Sequence, residues 1–378
     1  MTTRTPDESP ARRRPARTAR SAKPTATTRR SIRDVASLAG VSVGTVSNVL
    51  NNPDLVADTT QARVRRAIED LGFVRNASAR QLRAGRSRAV GAIVLDVANP
   101  FFTEVTRGIE DRLSEAGCVL MLCSSDDSRE KESHYLTMLE EQRVLGVLIT
   151  PAARDVAELE RARRLGTAVV LLDRPSPSPE LCSVAVDDVR GGELAGDHLL
   201  ALGHRRIGFV NGPRAIRQCA DRRRGLRKAV RAAGLNPDEV IVEVSTGAMN
   251  AHGGEAAVAG MLDGGRRRPT AICCVNDVTA LGVLRALIQR GITVPDDMAV
   301  VGYDDVEFAE MLATPLTSVR QPKYRLGHAA ADLLLAEAVD PEHRHQQLLF
   351  RPELVVRESS QAVGSGSPAQ GSRAGAAD

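Results

Sequence analysis

Long apolar runs are missing from this chain. None approaches the ~18 residues that a bilayer-spanning helix needs, so a membrane span is excluded. The amino terminus has no apolar core of the secretory type. It is Arg-rich and acid-poor, as organellar addresses are, but also Pro-rich and without an amphipathic pattern, which ranks that reading low. Cysteine pairs at metal or redox spacing are missing too. Cysteines stand at 118, 123, 182, 219, 273 and 274, with no C-x-x-C among them. Most lie in apolar, strand-like runs and read as small buried hydrophobes in a reducing compartment, not as a disulfide frame or zinc site. Adjacent Cys273 and Cys274 point to opposite faces if their run is a strand. His343 and His345 sit in a charged loop without a third convergent ligand, so no metal site is read there. Nor is there a nucleophile elbow or a Walker loop. Gly191-Gly192 lacks the preceding turn glycine of a phosphate fingerprint. No catalytic residue, no metal and no cofactor is expected, and the chain does not read as an enzyme.

What is present begins with uneven charge. The 378 residues carry a net charge of +4. Residues 1–30 hold Arg4, Arg12, Arg13, Arg14, Arg17, Arg20, Lys23, Arg29 and Arg30 against only Asp7 and Glu8. That leader has no hydrophobic period and reads as disordered. Its charge suits either a polyanion partner or a solvated tail.

Residues 32–51, IRDVASLAGVSVGTVSNVLN, form two short helical patterns around a turn. Ile32, Val35, Ala36 and Leu38–Ala39 mark one apolar face at helical spacing. Gly40 can end that helix with positive φ, and Ser42 can cap the next. Val46, Val49 and Leu50 fall on the inner side of the second helix, leaving Val43, Gly44, Ser47 and Asn48 outward. Two crossed helices joined by a short Gly-containing turn follow the helix-turn-helix plan, whose second helix fits a DNA major groove. An ordinary surface hairpin has the same pattern. A turn at 51–54 and a helix over Thr59–Leu71, with a stripe of Ala62, Val64–Arg65, Ala67–Ile68 and Leu71, complete a three-helix unit. A short basic helix is expected from Asn76 to Gly85.

From Ala89 the texture changes to apolar strands alternating with helices. Helices are expected at Phe101–Ala116, Gly192–Leu202, Asp221–Ala233, Gly254–Leu262 and Tyr324–Glu337, among others, with a closing strand pair around Gln347–Arg357. Such alternation means parallel sheets covered on both faces. The strands are too many for one sheet, so two subdomains with a cleft outside the carboxyl ends of the strands are expected. Polar residues recur just past those ends: Asp96, Asn99, Asp173, Asn276-Asp277 and Asp304-Asp305. Arg222 lies at the start of the expected helix. Each acid or amide there can cap a helix. Together, acids, amides, an arginine fork and the rings of Phe101 and Phe102 suit a polyhydroxylated ligand.

In this order the motifs resemble the LacI/GalR family of bacterial transcription regulators. The likeness runs from about Ile32 to Arg357 and rests on DVASLAGVSVGTVSNVLN, the Asn76…Ala79-Arg80-Gln81-Leu82 segment, HLLALGHRRIGFVNGP, CVNDVTALG and VVGYDDVEFAEMLATPLTSVRQP. The resemblance implies a small all-α helix-turn-helix headpiece (31–74), a hinge helix and linker (75–88), and an α/β core of two Rossmann-like subdomains resembling periplasmic sugar-binding proteins (89–359). A flexible tail follows from 360. It implies a cytoplasmic, nucleoid-associated homodimer on a near-palindromic, double-stranded operator. Operator affinity would be controlled by a small molecule, a sugar or nucleoside-like metabolite. By position, Val43, Gly44 and Asn48 would face base edges. Ser42, Thr45, Ser47 and Asn51 would hold phosphates or the helix start. Asn76, Ala79, Arg80 and Leu82 would form the hinge, with Leu82 as its minor-groove wedge. Phe101, Phe102, Asp173, Arg222, Asn276 and Asp304 would line the effector pocket. A solute-binding protein of transport shares such a core, but the N-terminal helices and the missing secretory signal speak against it. Three features depart from the family plan: Val43 and Gly44 offer a base almost no hydrogen bond, Arg75 stands where many members have proline, and the arginine-rich leader is extra.

Overall fold

The computed structural model describes residues 30–73, 87–152, 155–262, 268–340 and 342–361. The chain divides into two compact units, one up to Gly85 and one from Arg86 onward. The hinge residues Asn76, Ala79, Arg80 and Leu82, nearly all of the leader, and the tail beyond 361 lie outside the described residues.

Among its described residues, the first unit holds α1 (Ile32–Ala39), α2 (Val43–Asn51) and α3 (Asp58–Leu71), with one 3-10 turn at Pro53–Leu55. Ser31 and Asp34 cap α1 reciprocally, satisfying amides that the first turn leaves orphaned. Gly40 ends α1 at φ 63°, a conformation in which a side chain is strained. The shared core is small: Val35, Ala36, Ala39, Val46, Val49, Val64 and Ala67. Three short helices cover only a narrow arc of one another. Leu38, expected in the stripe, is therefore 54% exposed, and Ala62 and Arg65 also face outward.

The second unit has two six-stranded sheets. The first comprises β1 (Ala89–Val94), β2 (Val119–Ser124), β3 (Gly146–Ile149), β4 (Ala168–Leu172), β5 (Cys182–Val186) and β11 (Gln347–Phe350). Its order is β11-β5-β4-β3-β1-β2, parallel throughout. The second comprises β6 (Ile207–Asn211), β7 (Ile241–Ser245), β8 (Ala271–Cys274), β9 (Ala299–Asp304), β10 (Thr317–Arg320) and β12 (Glu353–Val355). Its order is β12-β10-β9-β8-β6-β7, with β12 alone antiparallel. Both sheets reverse direction of growth after their first strand, between β1 and β3 and between β6 and β8. Ligands of open α/β sheets sit at such a switch point, beyond the carboxyl ends of the strands.

The helices are α4 (Pro100–Glu115), α5 (Arg129–Glu141), α6 (Ala157–Arg164), α7 (Asp188–Ala201), α8 (Arg217–Ala232), α9 (Pro237–Val240), α10 (Ala251–Leu262), α11 (Asp277–Gln289), α12 (Phe308–Met311) and α13 (Lys323–Val339). Three of them begin three or four residues earlier than their patterns predict. α7 starts at Asp188, capped by Asp187. It carries Gly191 against the Tyr303 ring and Gly192 against α8, on which α7 packs backbone to backbone. A Cβ on Gly192 would stand 2.1 Å from the Arg222 carbonyl, and one on Gly225 2.0 Å from that of Val189. α8 starts at Arg217 and α10 at Ala251, so Arg222 sits in the second turn of its helix, not at its start.

The expected pair at 347–357 does form two strands, but they do not pair with each other. β11 extends the first sheet beside β5, while β12 joins the second beside β10. The chain passes between the sheets at Val186–Asp188, Arg320–Lys323 and Phe350–Glu353. β2 is an edge, not a covered strand: Val119 is 65% exposed, with Met121 and Leu122 also open. The fold continues past 359, where buried Ser360 hydrogen-bonds Thr317 Oγ1 at 2.7 Å. Cys273 and Cys274 do face opposite ways, into two separate apolar clusters.

Candidate ligand cleft and nucleic-acid interface

The centre of the second unit is one arginine among acids. Arg222 Nε donates to Asp188 Oδ1 at 2.8 Å, and Nη1 donates to the Val275 carbonyl at 2.6 Å. Its guanidinium carbon lies 3.6 Å from the centroid of the Tyr303 ring. The Tyr303 hydroxyl donates to the same Asp188 oxygen at 2.8 Å. Asp304 Oδ1 is 3.8 Å from Nη1. Asp173 faces the cluster from the first sheet, so three buried carboxylates share one guanidinium. Burial, and next the charge of Asp188, hold Asp173 well above the ordinary carboxylate range. Burial pushes Asp304 up to about 6 against the pull of Arg222. Asp277 is pushed up to about 8 by burial and then by the charge of Asp304.

Backbone at the strand ends is bent to present these acids. Asp173 has φ 58° and Asp304 φ 106°. A non-glycine residue at the second angle stores strain of order 1–3 kcal/mol. Its surroundings hold it there: Gln321 Nε2 donates to Asp304 Oδ1 at 2.7 Å, and Lys323 Nζ to the Asp304 carbonyl at 3.0 Å. Across the cleft, Gln218 Nε2 donates to both the carbonyl and Oδ2 of Asp173, at 2.7 and 2.8 Å. The two subdomains are thus drawn together on this side.

The rest of the lining is apolar. Phe101 and Phe102, opening α4, meet edge to face at 5.0 Å between centroids. They pack with Leu95, Ile216, Cys219, Val275 and Val306 in one cluster spanning both subdomains. Asn276 is committed to structure: its Oδ1 caps α11 by accepting from Thr279 N at 2.8 Å, and Nδ2 donates to Met249 O at 3.1 Å. Asp173 Oδ1, Thr150 Oγ1 and Gln321 Oε1 are buried with no hydrogen-bond partner among the described residues. Such groups are rare, since each forfeits about 1–3 kcal/mol of solvation. The site is rich in acceptors, poor in cations and backed by rings.

Of the residues expected here, Asp173, Arg222 and Asp304 form one electrostatic cluster, and Phe101 with Phe102 forms its apolar wall. Asp188, Gln218, Tyr303 and Gln321 were not anticipated. Asp188 follows a strand end as the others do and carried the same signal. Gln218 and Tyr303 carried none.

In the first unit, α2 presents Ser42, Val43, Gly44, Asn48 and Asn51 to solvent, with Thr45 and Ser47 half-buried. Ser42 Oγ caps the helix, accepting from Thr45 N at 3.0 Å. Asn51 Nδ2 donates to the Ser47 carbonyl at 2.8 Å. Val43 and Gly44 bring no polar side chain to the outer face of α2, while Asn48 brings an exposed amide.

The profile of the bacterial regulatory proteins, lacI family, matches residues 31–76, and that of the periplasmic binding protein-like domain matches residues 196–360. The HTH-type transcriptional repressor PurR of Photobacterium profundum is 35% identical over 331 residues, covering 87% of this chain and 98% of that protein. The chain belongs to the LacI family. The PurR repressor of Aliivibrio fischeri (strain MJ11) is 36% identical over 337 residues, with the same coverage of 87% and 98%. Among solved structures, the lac repressor dimer bound to operator and the anti-inducer ONPF superposes with a TM-score of 0.75 at 28% identity, over 88% of this chain and 99% of that one. The complex of the regulator CelR with cellobiose gives a TM-score of 0.66 at 33% identity, over 88% of this chain and 100% of that one. This LacI-family chain is a DNA-binding transcriptional repressor under the control of a small ligand, its headpiece and its cleft lying in separate units. No helix among the described residues is long and apolar enough to cross a membrane.

Proposed function

We propose that this repressor acts as a homodimer on a near-palindromic operator and responds to a neutral, polyhydroxylated ligand, a sugar or a nucleoside. The observation that carries the ligand class is the meeting of buried, hydrogen-bonding acids and the Arg222 fork with two phenylalanine rings. An anionic ligand would lie beside acids whose burial already disfavours negative charge. Hydroxyl donors would meet acceptors such as Asp173 Oδ1, and a ring would stack on the apolar wall. Cellobiose occupies the structurally similar CelR, which supports the sugar reading. Phe101, Phe102, Asp173, Arg222 and Asp304 hold the ligand in this reading, with Asn276 shaping the rim.

On DNA, Asn48 reads an adenine edge, while Val43 and Gly44 make apolar contact only. Ser42, Thr45, Ser47 and Asn51 fix the phosphates or the helix start. Asn76, Ala79, Arg80 and Leu82 supply the hinge, with Leu82 as a wedge between base steps. Ligand and operator share one conformational equilibrium, so each changes the affinity for the other. The protein works in the cytoplasm at the nucleoid and performs no chemistry on its ligand.

The dimer surface we assign runs along β2 and α11. Val119, Met121 and Leu122 are open on β2, and Ile288 on α11 is 71% exposed. Beside it lies a groove of about 540 Å³ lined by Leu281, Leu284, Ile292, Val294 and Leu312. The test of the ligand class is a thermal-shift screen of sugars, nucleosides and organic anions, since a ligand of the folded state raises Tm by mass action. A neutral sugar or nucleoside should raise Tm and change operator affinity, in a direction that tells inducer from corepressor. Stabilisation by anions alone would overturn the reading.

A further inference from the structure

The His343–His345 pair is not alone in the folded protein. Cys182, 161 residues away, opens β5 directly beneath it. Its Sγ lies 3.3 Å from His343 Nε2 and 3.5 Å from His345 Nδ1, and all three atoms fall within 4.8 Å of one another. We propose that Cys182, His343 and His345 form a three-residue binding site for a divalent transition-metal ion of the zinc type, with the fourth position taken by water and Glu337 beside it.

Strand pairing builds the cluster. β11 runs parallel to β5 with Gln347 opposite Ser183. Ser183 N donates to the Gln346 carbonyl at 2.9 Å, and Gln346 N donates to Cys182 Sγ at 3.3 Å. Extended chain alternates its side chains, so residues 343 and 345 fall on one face, toward the sulfur. Glu337 comes from the last turns of α13. Its Oε1 lies 3.6 Å from Arg163 Nε, and its Oε2 lies 4.0 Å from His345 Nδ1. That Oε2 is buried and has no hydrogen-bond partner among the described residues.

The dimensions suit the ion. Zinc–sulfur bonds near 2.3 Å and zinc–nitrogen bonds near 2.0–2.1 Å at tetrahedral angles place sulfur and nitrogen ~3.5 Å apart. The two observed sulfur–nitrogen separations match that edge. A thiolate and two imidazoles select zinc-like ions over magnesium or calcium, which prefer oxygen alone. On binding, the Cys182 thiol loses its proton to solvent and the sulfur becomes the anionic ligand. His345 Nε2 is buried and unpartnered, so the outer hydrogen bond that usually steadies a metal-bound histidine is missing, which lowers affinity below that of fully supported sites. The site lies at the amino ends of β5 and β11, the end of the first sheet opposite the ligand cleft. It pins the loop after α13 to the sheet.

Cobalt titration of the reduced, chelator-treated full chain tests this. We expect one equivalent of Co²⁺ to produce a thiolate-to-cobalt charge-transfer band with tetrahedral ligand-field bands, both bleached by Zn²⁺. Cys182→Ser should abolish the thiolate band. His343→Ala, at a half-exposed side chain, should weaken Zn²⁺ binding on the order of tenfold or more while the metal-free chain still folds, so it decides the matter if the cysteine variant does not fold. A wild-type chain without the band, a band that survives Cys182→Ser, or unchanged affinity in His343→Ala would each overturn the assignment.

Discussion

Arg222 carries two duties that pull against each other in any experiment. It is the cationic group facing the proposed ligand, and it pairs with Asp188 and Asp304 in the interior. Removing one partner from a buried ion cluster leaves uncompensated charge and is strongly destabilising. Arg222→Ala is therefore expected to lose about 3–5 kcal/mol in urea unfolding, as well as the ligand response. A loss below 1 kcal/mol would show that the acids simply take up protons. Asp304 reports on the same balance through pH. Its carboxyl titrates near 6 in the folded chain against an ordinary value of 3.8. Between those values the unfolded chain binds fewer protons than the folded one, so this group's contribution to stability is full below about pH 4 and falls as pH rises through 6. The Tm of the wild type, compared with that of Asp304→Asn, should decline over that window. Parallel curves would contradict the raised pKa.

Elements act through how closely they approach. α7 and α8 touch backbone to backbone at Gly192 and Gly225, which sets the position of Arg222 and Asp188 at once. A single added methyl has no free side chain to displace. Gly225→Ala should force the helices apart, at about 1–3 kcal/mol or more, and reduce ligand affinity. Denaturation together with ligand titration would show both effects, and an unchanged affinity would separate helix packing from the cleft. On α2 the amide proposed to read a base is that of Asn48. Asn48→Ala should cost about 1–3 kcal/mol of operator discrimination at a single base pair. Leu82→Ala should weaken binding to the operator strongly while sparing ligand binding, as measured by gel shift and calorimetry.

For the molecule as a whole, the exposed apolar surface lies where a second copy would cover it. Ile288→Glu on α11 should yield monomers by sedimentation and lose operator affinity, because two headpieces linked in one dimer gain from effective concentration. A dimer that survives the substitution would move the interface elsewhere.

Local chemistry was enough to read the headpiece, the alternation of strands and helices, and the acids past the strand ends. Each of these depends on residues within a turn or two of each other: a Ser cap, a Gly stop, a period of apolar side chains. Other features were written by pairing over long distances. That β11 and β12 part to different sheets, that Leu38 faces solvent and that β2 is an edge all depend on which neighbour covers what. The cleft followed the same rule. Asp173 and Asp304 were legible from position, yet their shared arginine, the Gln218 bridge and the ring of Tyr303 came from elements far apart in the chain. Cys182 makes the point most sharply: a buried thiol and two loop histidines had no relation in sequence until parallel pairing of β5 and β11 placed them within bonding distance of one ion.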